Sequence, residues 1–142
     1  MGEKVRVVLD TNIWISIALN KTLAEGFLPL IREKRIEACL SRALVTELAR
    51  VITYPKIATI LEKYGTEPLV ALASILEPAT VVRTGRRVRK IEADPTDNRV
   101  LECAIYSKAK FIVSGDKHVL KLGEFKGVKI LTARKFLEMM KA

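Results

Sequence analysis

Short apolar runs alternate with amphipathic stretches along this chain, and several of the runs stop at an acid or a hydroxyl residue. VRVVL, from Val5 to Leu9, is β-branched and nearly continuous before it ends at Asp10, the pattern of a strand covered on both faces. IEACL (from Ile36 to Leu40), ATVV (from Ala79 to Val82), FIVS (from Phe111 to Ser114) and VKIL (from Val128 to Leu131) read as four further strands. Between them the apolar spacing predicts a short helix from Asn12 to Leu19. A second runs from Thr22 to Glu33, where Gly26 and Pro29 weaken or break the middle. Ser41 caps a helix to about Thr53, another from Lys56 closes at Gly65, and a third from Thr66 to Leu76 is apolar over most of its circumference. Helices are also expected from Asp97 to Lys108, as a turn after Asp116, and from Thr132 onward. Strand and helix alternate at crossover spacing, which predicts an α/β fold: a three-layer α/β/α arrangement around a central parallel sheet of about five strands.

The length of 142 residues suits one domain over residues 1–142. Apolar runs fall short of the roughly 18 residues of a membrane span, and MGEKVRVVLD lacks a signal-peptide pattern, so a cytoplasmic protein with no membrane partner is expected. Two cysteines, Cys39 in a strand and Cys103 in a helix, read as free thiols. With one histidine, His118, an imidazole metal site or a Ser-His-Asp arrangement would rest on that residue alone. Any catalysis must therefore rest on carboxylates. The net charge of +9 favours a polyanion, nucleic acid first, as partner. The absence of Gln and the presence of only three Asn is also a hyperthermophile bias, which raises charge without any ligand.

Two acids stand where chemistry collects in a parallel sheet, beyond the carboxyl ends of the strands, and two more sit on helix faces aimed toward it. Asp10 follows the first strand directly and Asp116 follows FIVS after Gly115. Each also suits a local role, Asp10 as a helix cap and Asp116 in a turn. Glu47 shares a helical face with Leu44, Leu48 and Val51, so it points inward and requires water, Arg42, Arg50 or a cation as partner. Asp97 precedes Val100 and Leu101 by three and four residues on the apolar face of its helix. The turn DPTDN, from Asp94 to Asn98, is equally a good helix start, with Asp94 as N-cap and Pro95 at the first position. Four convergent carboxylates would repel one another unless neutralised, and one or two Mg²⁺ or Mn²⁺ ions suit such an all-oxygen site. A two-metal carboxylate site hydrolyses phosphodiesters without His or Cys. Arg83, Arg86, Arg87, Arg89 and Lys90 lie in a Gly-containing loop that either holds a nucleic-acid backbone or is a solvated charge run. Thr11, Asn12 and Ser114 flank the acids and either position water or satisfy local backbone groups. Trp14, with Ile13 and Ile17, reads as core rather than a base-stacking platform.

The ordered set VVLDTN, VTELARVI, DPTDNRVLECA and FIVSGDKHVLKL resembles the PIN-domain nuclease family over nearly the whole chain, closest to its small prokaryotic branch that includes toxins of toxin-antitoxin pairs. The resemblance implies a metal-dependent ribonuclease, with Mg²⁺ or Mn²⁺ held by Asp10, Glu47, Asp97 and Asp116, and Asp94 as an auxiliary. Ser114 replaces the Thr that many members carry beside the Gly-Asp pair. A homodimer and a protein antitoxin are partners the family implies, and the apolar helix ending at Leu76 independently suggests a subunit contact. The expected activity is endoribonucleolytic, on single-stranded or structured RNA. The rival expectation is a non-catalytic RNA-binding or partner-binding module that keeps the acids for capping. A haloacid-dehalogenase-like phosphatase is disfavoured, since Asn12 stands where that nucleophile loop has its second Asp.

Overall fold

The computed structural model describes residues 4–91 and 97–141. Its sheet has six strands: β1 (Val5–Leu9), β2 (Ile36–Ser41), β3 (Thr80–Val82), β4 (Phe111–Val113), β5 (Glu124–Phe125) and β6 (Val128–Leu131), in the order β3-β2-β1-β4-β6-β5. β1 lies between β2 and β4, parallel to both, and Val7, Val8 and Leu9 are fully buried, which is why this run carries no alternation. β2–β3 and β4–β6 pairings are also parallel.

The sheet thus has the expected five parallel strands and one more. β5 runs antiparallel to β6 through the two-residue turn Lys126-Gly127, whose φ angles of 47° and 83° are those of a hairpin turn that favours glycine. Two residues are too few to show any hydrophobic period, so this strand was invisible to pattern.

The helices are α1 (Thr11–Leu19), α2 (Lys21–Arg32), α3 (Arg42–Val51), α4 (Pro55–Lys63), α5 (Pro68–Leu76), α6 (Asn98–Ser107), α7 (Lys117–Leu120) and α8 (Ala133–Lys141). Contrary to expectation, α2 continues through Gly26 and Pro29. Asn20 caps its start by accepting the Leu23 N–H at 3.1 Å. α8 comes close at Gly26, where a Cβ would lie 2.7 Å from the terminal Cδ1 of Leu137. The next residue, Phe27, stacks on Phe136 of α8 at 5.9 Å between centroids. Tertiary packing therefore overrides the propensity of two helix breakers.

Strand register assigns the layers. Val7, Ala38 and Phe111 are partners across three strands and share one face, while Val8, Cys39 and Ile112 share the other. Phe136 packs edge-on to Phe111, so α2 and α8 cover the first face. α6 packs across β1 to β4 with α3 beside it, and Cys39 on this face lies near enough to Cys103 of α6 to perturb it, so these helices cover the second. Trp14 is buried in the core, as expected. α5 is only half accounted for: Ala71 and Ile75 face the core, while Leu69 and Val70 are 73% and 52% exposed. Among the described residues no helix is long and apolar enough to cross a membrane.

Candidate active site

The end of β1 and the end of β4 are neighbours, with Leu9 paired to Val113. The chain leaves each strand into an acid, and one hydroxyl joins the two. Ser114, fully buried, donates its Oγ–H to Asp10 Oδ2 at 2.7 Å and accepts the Asp116 N–H at 3.0 Å. Thr11 Oγ1 donates to the other Asp10 oxygen at 3.2 Å. Asp10 is 5% exposed, and its backbone is fixed by the Asp10 N–H bond to Val113 O at 3.0 Å. Its side chain does not cap α1; its carbonyl instead accepts the Ile13 and Trp14 N–H groups. Asp116, half-buried, does cap α7: Oδ1 accepts the N–H groups of His118 at 2.7 Å and Val119 at 3.3 Å. The two acids that sequence treats alike are therefore held differently, one by hydroxyls and one by backbone.

Glu47 is half-buried on α3, flanked by the fully buried Leu44 and Leu48. α3 starts at the carboxyl end of β2, where Ser41 Oγ accepts the Leu44 N–H at 3.2 Å. Asp97 is buried at the start of α6, and both Glu47 and Asp97 have interaction partners. The far end of α6 sits at the amino half of β1, where Arg6 Nη1 donates to Ser107 O and Lys110 N–H to Arg6 O. Asp97 thus belongs to the opposite end of the sheet, the end of Asp10. Asp94 lies outside the described residues. Among the described residues no group of three or more His, Cys, Asp or Glu is gathered tightly enough to hold a metal ion by itself. The same residues include no Lys or Arg in an ion pair with Asp10 or Asp116. A buried carboxylate with hydroxyl donors and no cationic partner suits a cation. Its lone pairs are not exhausted by two hydrogen bonds. Mg²⁺ is commonly held by one or two carboxylates with its own water completing the shell, so the donor set fits a hydrated ion.

The basic segment after β3 is exposed at Arg83, Arg86, Arg87, Arg89 and Lys90. Sequence reading missed what holds it. Asn98, 2% exposed, accepts the Lys90 and Ile91 N–H groups at 3.0 and 2.7 Å and donates to Ile91 O at 2.8 Å. Glu102, 3% exposed, accepts the Val88 N–H at 2.8 Å and pairs with Arg99 at 2.8 Å, while Arg99 donates to Val88 O at 3.1 Å. Tyr106 Oη accepts the Arg86 N–H at 2.7 Å. The signal was present in the spacing of Asn98, Glu102 and Tyr106, four residues apart on one helical face. Of the other residues singled out, Asn12 is exposed on α1 and His118 is half-buried on α7.

The PIN domain family model matches residues 6–118, from within β1 to just past Asp116, a span that takes in all four acids. An uncharacterized protein of Methanocaldococcus jannaschii is 30% identical over 122 residues, which is 84% of this chain and 76% of that protein. VapBC2 from Rickettsia felis, solved bound to a DNA fragment from its promoter, is similar with a TM-score of 0.59 at 14% identity, over 89% of this chain and 97% of that one. The PIN domain endonuclease Utp24 is similar with a TM-score of 0.54 at 21% identity, over 92% of this chain and 86% of that one. The two structures speak for the fold, while the family model, matched over residues 6–118, carries the kinship: the chain belongs to the PIN domain family.

Proposed function

We propose that this protein is a ribonuclease dependent on Mg²⁺ or Mn²⁺, a single domain over residues 1–142 that cuts within single-stranded or structured RNA. The observation that carries the reading is the Asp10–Ser114–Asp116 unit: two acids just beyond the ends of adjacent parallel strands, with the carboxylate of the first and the backbone N–H of the second bound to one buried hydroxyl. In this reading Asp10, Asp97 and Asp116 would bind the cation directly or through its own water, and Glu47 would complete the set or orient the attacking water. One or two such ions, when bound, activate water and stabilise the leaving oxygen of a phosphodiester. Ser114 and Thr11 fix the Asp10 carboxylate. Asn12, exposed beside them, is free to position water, and Asp94 is an auxiliary acid. Arg83, Arg86, Arg87, Arg89 and Lys90 hold backbone phosphates, and the net charge of +9 supports a polyanionic substrate. A protein antitoxin and a second copy of the chain are the partners attached to this reading. Likeness to VapBC2 supports the former, and exposed Leu69 and Val70 on α5 support the latter. The test is cleavage of single-stranded RNA with Mn²⁺, with chelator, and with Asp10→Asn and Asp97→Asn. Activity that survives both substitutions and chelation removes the proposal.

One observation favours a second reading, a non-catalytic RNA-binding or partner-binding module. Asp116 Oδ1 caps α7, and a cap needs no metal. Metal titration separates the two. If millimolar Mn²⁺ neither binds nor raises the melting temperature while RNA still binds, the module reading stands.

A further inference from the structure

The cationic segment is fastened to α6 by a regular polar ladder. Tyr106, Glu102 and Asn98 descend the helix four residues at a time and accept the N–H groups of Arg86, Val88 and Lys90, which ascend the strap two at a time. Four helical residues rise about 6 Å and two extended residues about 6.6 Å, so helix and strap stay in step over three rungs. The last rung is doubled, because Asn98 Oδ1 also accepts the Ile91 N–H. It lies one residue from Asp97, so the strap runs toward the acidic end of the sheet.

Little of the strap enters the core. α6 is already anchored by Val100, Leu101, Cys103 and Ala104, all buried, whereas from Arg86 to Ile91 only Ile91 is buried and Val88 half-buried. Four cations within five residues repel one another and favour release from the surface. Yet two nearly buried polar side chains, Asn98 and Glu102, are committed to holding them down.

We infer that Asn98, Glu102 and Tyr106 are positioning residues for nucleic acid, holding Arg86, Arg87, Arg89 and Lys90 as a preformed rail in fixed register with Asp97. This rests on the RNA reading of the site. A rail ordered in advance spares the ordering cost on binding, so unlatching it weakens affinity without altering the reacting groups.

The experiment measures binding of a single-stranded RNA oligonucleotide without divalent ions, cleavage with Mn²⁺, and amide hydrogen exchange. It compares wild type, Asn98→Ala, Tyr106→Phe, and the pair Arg87→Gln/Arg89→Gln in each background. Tyr106 is 40% exposed, so its variant folds even if Asn98→Ala does not. Expected are Kd and KM raised roughly three- to tenfold, kcat within about twofold, and a reduced penalty for the arginine pair in the latch variants. Exchange at Val88 and Lys90 should quicken while that at Val100 and Leu101 does not. Unchanged Kd with quickened exchange, or a fully additive arginine penalty, overturns the latch and leaves the ribonuclease reading standing. Wild-type protein that binds no RNA at low salt overturns the RNA reading and the latch together.

Discussion

Ser114 Oγ stands 2.7 Å from Asp10 Oδ2, a hydrogen bond between residues 104 apart that spans the seam between β4 and β1. The same oxygen accepts the Asp116 N–H. Ser114→Ala removes both bonds at a fully buried position, leaving an acceptor and a donor without that partner. The expected loss is about 1–3 kcal/mol, or roughly 3 to 10 °C in melting temperature. Ser114→Thr keeps the hydroxyl and should restore Mn²⁺-induced stabilisation where Ala does not. Calorimetry with and without Mn²⁺ checks both, and an Ala variant as stable as wild type sinks the bridging role.

Asp10→Asn tests the electrostatic cost of the site. The carboxylate is buried with hydroxyl partners and no ion pair among the described residues. An amide of the same shape loses the charge, and both hydroxyls can turn to match it. Without metal, the variant should melt at or above the wild-type temperature, as expected where function is held against stability. With Mn²⁺ only the wild type should gain. If Asp10 holds the cation as proposed, RNA cleavage should fall by at least about 100-fold. A metal-free variant several degrees less stable than wild type would show that the charge is structural.

The fold was legible because burial writes itself into periodicity. Val7, Val8 and Leu9 form an unbroken apolar run since both faces of β1 are covered, and Asp10 at its end marks the edge where ligands collect. Asp10 and Asp116 could be placed at this edge from sequence for the same reason, each following closely on a strand. What escaped was tertiary. Gly26 and Pro29 read as helix breakers because nothing local reveals the approach of Leu137. Glu102 taken alone carries no signal in the sequence, because its partners, Val88 and Arg99, become informative only once the strap folds back on α6. The roles of Asp10 and Asp116 also separate only in three dimensions, where one is held by hydroxyls and the other by helix amides.

The two thiols carry a pH signature. Burial, and then the neighbouring Cys39, push Cys103 up to about 12, against a hydrogen bond with Ser41 that lowers it. Burial likewise raises Cys39, with Glu37 adding to it. In the unfolded chain both ionise near 9.0, so between pH 9 and 12 the folded state holds more protons than the unfolded one. Stability is unaffected by these thiols below pH 9 and falls as pH rises toward 12. Native protein at pH 8 should therefore resist a thiol-reactive chromophore that labels both cysteines in guanidinium. Cys103→Ala should flatten the alkaline fall in melting temperature. Fast labelling of two thiols in the native state would contradict the burial.

The strap's charges predict a salt dependence that separates phosphate contact from solvation. Arg83, Arg86, Arg87, Arg89 and Lys90 are all exposed, and each one that meets an RNA phosphate releases condensed counterions. For a single strand, the slope of log affinity against log salt steepens by about 0.7 per contact. Replacing Arg86, Arg87, Arg89 and Lys90 together with Gln should therefore flatten the slope by roughly 2–3 units if all four touch the backbone. The substitutions alter no buried side chain, so the melting temperature should hold within about 2 °C, or rise as the repulsion within the strap is relieved. Titrations of labelled single-stranded RNA at several KCl concentrations read the slope directly. A slope unchanged by the fourfold substitution would make these cations a solvated face and move the phosphate contacts elsewhere on a chain whose net charge would still be positive, at +5 from +9 less four.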